Sequence, residues 1–79
     1  MNPQIELEIE NRIKADYKKI VEIFGTSPFM SRPYISGTVI NVSEDMEKKY
    51  GNQLKMNYRD FLRIVEPIAY KLRKQYFGY

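Results

Sequence analysis

Apolar residues recur at Ile5, Ile9, Ile13, Tyr17, Ile20/Val21 and Phe24, in steps of three and four that wind into one stripe on a helix. The spacing predicts a helix over about residues 4–24. Asn2 is suited to cap it, and Pro3 suits the first helical position. Glu6, Glu8 and Glu10 complement the positive end of the macrodipole, Glu10 and Lys14 form a favourable i,i+4 pair, and Gly25 is a stop signal. Ile5-Glu6-Leu7-Glu8-Ile9-Glu10 also alternates with period two. A short strand over 5–10 is the competing expectation, and it would make the class α+β.

The pattern then breaks. Residues 25–36 hold Pro28, Pro33 and several small residues, which argues for a loop. Thr38-Val39-Ile40-Asn41-Val42 is rich in β-branched residues, and Ser36-Gly37 is placed to turn a hairpin with Tyr34-Ile35. A β-like segment near 34–42 is therefore expected, with an exposed edge that invites a second copy. Ser43 reads as the cap of a short helix over about 44–50, with Glu44 and Asp45 in its first turn and Gly51 closing it.

A second long stripe follows: Phe61, Val65, Ile68, Leu72 and Tyr76. Asn57 with Asp60 three residues on has the form of a capping box. Pro67 interrupts the sequence but not the phase of the stripe, so one kinked helix over about 57–77 is predicted. The fold expected is mainly α: a long N-terminal helix antiparallel to the kinked C-terminal helix, closed at one end by the middle segment. At 79 residues the chain has room for a single small domain, 1–79, with one modest core. A homodimer through 38–42 or the long helices would add buried area.

Composition removes most chemistry. The chain has no cysteine and no histidine, so it holds no disulfide, no Ser-His-Asp or Cys-His nucleophile, and no zinc site of the usual ligands. Its four glycines are isolated, so there is no phosphate-cradling loop. Glu6 with Glu10, and Glu44 with Asp45, read as first-turn acids rather than metal ligands. No enzyme activity, cofactor or metal is expected. No apolar run reaches the ~18 residues of a membrane span, and the first residues lack a secretory pattern, which together point to a cytoplasmic protein. The abundance of Ile, Lys, Asn and Tyr is shared by low-GC bacteria, their phages and some archaeal viruses, so a viral or mobile-element origin fits the composition.

Charge is what distinguishes the two halves. Residues 1–46 carry five Lys/Arg against seven Asp/Glu, whereas residues 47–79 carry eight against three, together with five of the seven tyrosines. With the apolar stripe turned inward, Arg59, Arg63, Tyr70 and Arg73 align on the outer side of the last helix, broken by Glu66. Lys71 and Lys74 flank them, and Lys48, Lys49 and Lys55 extend the patch upstream. Cations neutralise phosphates, and Tyr donates to a phosphate or stacks on an unpaired base. The leading expectation is a non-catalytic protein that binds DNA or RNA mostly through phosphates. An acidic protein surface and a merely solvated face are the competitors. A helix-turn-helix fits poorly, because five residues, 52–56, separate Gly51 from Asn57 where that motif uses about three or four.

The second functional expectation lies in the middle. Phe29, Met30, Arg32 and Tyr34 are the residue types that anchor protein interfaces. Exposed, they would make the chain a protein–protein interaction module such as a regulator, inhibitor or assembly subunit. Buried, they would be the lid of a small core, and burial is the favoured expectation.

Overall fold

The N-terminal stripe folds as its spacing dictates. In the computed structural model, which describes residues 2–79, helix α1 runs Pro3–Phe24. The Asn2 side chain accepts the N–H of Gln4 at 2.8 Å, and Gly25 leaves the helix at a φ of 79° that a side chain would resist. Ile5, Ile9, Ile13, Tyr17 and Ile20 are buried. Leu7 is exposed, so residues 5, 7 and 9 do not share a face and the strand reading of 5–10 is set aside.

The middle of the chain corrects the sequence reading. Helix α2 runs Pro28–Leu54 without a break, replacing both the β-like segment near 34–42 and the short helix over 44–50. The connection to α1 is only Gly25–Ser27. Pro28 takes the first position, where its missing N–H costs nothing. Pro33 is exposed, so the carbonyl it leaves unpaired faces water. The β-branched and hydroxylic residues are accommodated by back-bonding. Ser31 donates to the Ser27 carbonyl at 2.7 Å, Thr38 to Tyr34 at 3.1 Å, and Ser43 to Val39 at 2.8 Å. Thus satisfied, Ser31, Ile35, Thr38, Val42, Ser43 and Met46 form the buried face of α2. Ser43 is a core residue rather than a cap, and no strand edge exists at 38–42 for a second copy to pair with.

Gly51 does not end α2. It is buried, and a Cβ there would lie 2.9 Å from the Met56 carbonyl oxygen, so it lets the following turn fold back closely. Lys55 ends the helix in a left-handed conformation at φ 54°. Asn57 and Asp60 then form the predicted capping box, with reciprocal bonds of 3.0 and 2.9 Å. Helix α3 runs Tyr58–Phe77 without interruption across the exposed Pro67 and ends at Gly78. Phe61, Val65 and Leu72 of the expected stripe are buried and Ile68 and Tyr76 partly so; Ala69 and Phe77 join them.

The three helices share one core and form a mainly α bundle. Helices of 22, 27 and 20 residues are about 30–40 Å long at 1.5 Å per residue, so each must run along the 38 Å axis of a molecule only 20 × 16 Å across. Glu8 of α1 meets Lys49 and Tyr50 of α2, which sets those helices antiparallel. Tyr17 meets Tyr76 and Phe77 edge-on, at ring separations of 6.3 and 5.3 Å. α1 and α3 therefore run parallel, not antiparallel as expected, because a full-length helix returns the chain between them. The α2–α3 connection, Lys55–Asn57, has the length of a helix-turn-helix turn, but the helices lie side by side rather than crossed. No helix of the described residues is long and apolar enough to cross a membrane.

Candidate nucleic-acid interface

Two sets of charges behave differently in this bundle. Along the α1–α2 seam they are paired. Arg12 reaches Asp45 at 2.6 Å and Asp16 at 3.4 Å, and Lys49 reaches Glu8 at 2.7 Å; within α1, Lys14 reaches Glu10 one turn back at 3.1 Å. The Tyr50 hydroxyl donates to the second oxygen of Glu8. The Lys49 and Tyr50 bonds hold the Glu8 carboxyl below its ordinary range. The bond to Asp45 raises Arg12, and the bond to Glu8 raises Lys49.

On the outer side of α3, Arg59, Arg63, Lys71 and Lys74 are exposed, and none is in an ion pair among the described residues. The helical phase that buries Phe61, Val65 and Leu72 turns Arg59, Arg63, Tyr70 and Lys74 to the opposite side. Asp60 is engaged in the cap, which leaves Glu66 as the free carboxylate of this helix. Lys48 and Lys55 are exposed beside the first turn of α3, bordering a polar depression with Asn57 and Asp60. They extend the basic surface toward Arg59. Lys49 does not, because its ammonium is held by Glu8 on the other side of α2.

Arg73 is placed differently from its neighbours. It is half-buried, its Nε donates to the Tyr79 main-chain oxygen at 2.8 Å, and its guanidinium lies 4.9 Å from the Tyr70 ring and 5.3 Å from the Tyr79 ring. Lys74 lies 4.7 Å from Tyr70, and Arg32, from the start of α2, lies 5.9 Å from Tyr79. The Tyr79 hydroxyl meets that of Ser31 at 2.8 Å. Cations and aromatic rings therefore alternate across the end of the bundle, an arrangement in which each ring fixes its neighbouring cations. Sequence reasoning named Tyr70 and Arg73 but missed Tyr79, since nothing in its spacing says that it folds back onto α2.

The second set of sequence candidates stands apart. Phe29 is 88% exposed and Met30 is exposed, and Ile23 on the adjoining end of α1 is 71% exposed. Burial of this segment was the expectation, and it is overturned. With residues 28–34 helical, the inward positions fall to Ser31 and Ile35, and Phe29 and Met30 point outward. Tyr34 is part-covered by stacking on Phe24 at 3.8 Å.

Between α2 and α3 lies a groove of about 390 Å³ with Ile35, Val39, Leu62 and Ala69 among its lining residues. Tyr58 and Tyr70 also border it, so it adjoins the basic face. Tyr17 of α1 lines it too, fully buried, and its hydroxyl is the one buried side-chain polar atom without a partner among the described residues. Burial pushes that hydroxyl up to about 12, so it keeps its proton at neutral pH.

No family model, curated protein or solved structure matches this chain.

Proposed function

We propose that this protein is a non-catalytic nucleic-acid-binding protein that contacts the phosphate backbone with the outer face of α3. The observation that carries this reading is the contrast between the seam and that face. Across the seam Arg12 and Lys49 each meet a carboxylate, whereas Arg59, Arg63, Lys71 and Lys74 gather on the outer side of one helix, exposed and without an acid partner among the described residues. Lys48 and Lys55 lengthen the surface at one end, and Arg73, ordered by Tyr70 and Tyr79, anchors the other. Each phosphate neutralised releases condensed counterions, so affinity must fall as salt rises. Fluorescence anisotropy of labelled oligonucleotides over a salt series tests this. A linear fall of log K against log salt with a slope worth several contacts is expected. A flat response at low salt would make the face ordinary solvated charge, or would leave it to an acidic protein surface.

A second reading has its own observation. Phe29, Met30 and Ile23 form an uncovered apolar end, of the kind that marks protein contact sites. A protein-interaction module would use it together with Arg32 and Tyr34. Phe29→Ala and Met30→Ala would then abolish partner capture or self-association, and leave nucleic-acid binding unchanged.

A further inference from the structure

The phosphate-binding face leaves unused the groove beside it. Its walls are apolar, from Ile35 and Val39 on α2 and Leu62 on α3. Its hydrogen-bonding side chains are Ser36 on α2 and Tyr58, Glu66, Tyr70 and Arg73 on α3, while the Tyr17 hydroxyl lies closed off beneath the floor. At about 390 Å³ it falls within the range of about 300–1,000 Å³ typical of ligand sites.

We propose that this groove receives one unstacked base of a single-stranded nucleic acid whose phosphates lie along the outer face of α3. The inference rests on the phosphate-binding reading of that face and adds strand selectivity to it. A base is flat and apolar on its faces, which suits aliphatic walls, and polar at its edge. Ring nitrogens and carbonyl oxygens of that edge accept from the Arg73 N–H groups that Tyr79 does not hold. An exocyclic amine donates to Glu66, which has no ion-pair partner among the described residues. Tyr70, exposed at the rim and shared with the basic face, offers a ring for the neighbouring base. In a duplex both faces of a base are stacked and its edge is paired, so the groove stays empty. Phosphate contacts alone favour the duplex, whose charge density is higher. A preference for single strands is therefore the signature of the groove.

The test is anisotropy of single-stranded and duplex oligonucleotides of one length, as DNA and as RNA, at one salt concentration. It is run with the wild type and Ser36→Trp, with folding checked by circular dichroism. Ser36 is exposed at the groove, so a bulky side chain there fills it without entering the core. The single strand is expected to bind about tenfold or more tighter than the duplex, in line with one stacked base. Ser36→Trp should erase that preference and leave duplex affinity unchanged. Equal affinity for the two strand states with a steep salt slope overturns the groove and keeps the phosphate surface. A preference that survives Ser36→Trp also overturns the groove. Absence of binding to either strand state at low salt overturns the surface and the groove with it.

Discussion

The α1–α2 seam and the outer face of α3 are built from the same residue types and put them to opposite use. At the seam, Arg12 and Lys49 each end on a carboxylate, and even the Tyr50 hydroxyl is drawn to Glu8. On α3 the acids are few, and one of them, Asp60, is tied into the helix cap. Arg59, Arg63, Lys71 and Lys74 are left facing water. Partly exposed ion pairs contribute little each, about 0–1 kcal/mol, so the seam is not what holds the bundle together. It does fix how α1 and α2 sit, and it shows which cations the fold has already used. Lys18 and Lys19 of α1 and Arg32 of α2 are also exposed without an ion pair among the described residues, and the α3 cations differ from them in sharing one helix face.

Matched charge reversals break the comparison most strongly. Arg59→Glu with Arg63→Glu should lower nucleic-acid affinity about 100-fold while moving the stability by less than about 0.5 kcal/mol. Arg12→Glu with Lys49→Glu changes the net charge equally but places like charges against Asp45 and Glu8. That pair should lower the urea unfolding midpoint and reduce affinity far less than the α3 pair does. Equal effects of the two pairs on affinity would mean that only net charge matters.

The turn joining the two regions is next in size. A Cβ at Gly51 would lie 2.9 Å from the Met56 carbonyl oxygen and 3.2 Å from Glu47 Cγ. Gly51→Ala should cost about 1–3 kcal/mol, since main chain must move to admit the methyl group. An unchanged unfolding midpoint would show that the turn is loosely packed.

Acid sharpens the contrast. The Glu8 carboxyl is held below its ordinary value, so its contribution is complete above the unfolded-state pKa, near 4.5, and is lost as pH falls through the lower folded value. Acid unfolding of the wild type should show a loss of stability in this range that Glu8→Gln does not show. Nucleic-acid affinity, which depends on Arg and Lys, should be flat from about pH 5 to 8.

The smallest effect at neutral pH lies at Tyr17. Its hydroxyl has a folded-state value raised to about 12, so stability is complete below about pH 10 and falls as pH rises from there. Tyr17→Phe should abolish that alkaline loss. It should also gain up to about 1 kcal/mol at pH 7, because it removes a buried group without a partner.

What could be read from the chain follows from how each helix makes its core face. α1 and α3 bury Ile, Val, Leu, Phe and Tyr at helical spacing, so their positions, caps and ends were legible. α2 buries Ser31, Ile35, Thr38, Val42 and Met46, which has the same spacing of four, three, four and four. Two members of that stripe are hydroxylic and satisfy themselves on the preceding turn, a bond invisible to a pattern that counts only apolar residues. With the stripe hidden, Pro28, Pro33 and the β-branched run suggested a loop and a strand. The exposed cations of α3 followed directly from its stripe. The withdrawal of Lys49 into the seam, the ordering of Arg73 by Tyr79 and the groove above Tyr17 did not, since each depends on how helices distant in sequence meet.

The most direct test of the α3 surface is a ¹⁵N-resolved NMR titration of the protein with a short oligonucleotide at low salt. Shift changes concentrated on Arg59, Arg63, Tyr70, Lys71 and Lys74, with the α1–α2 seam around Glu8, Arg12 and Asp45 unmoved, are the predicted result. Changes centred on Phe29 and Met30 instead, or none at saturating oligonucleotide, would contradict it.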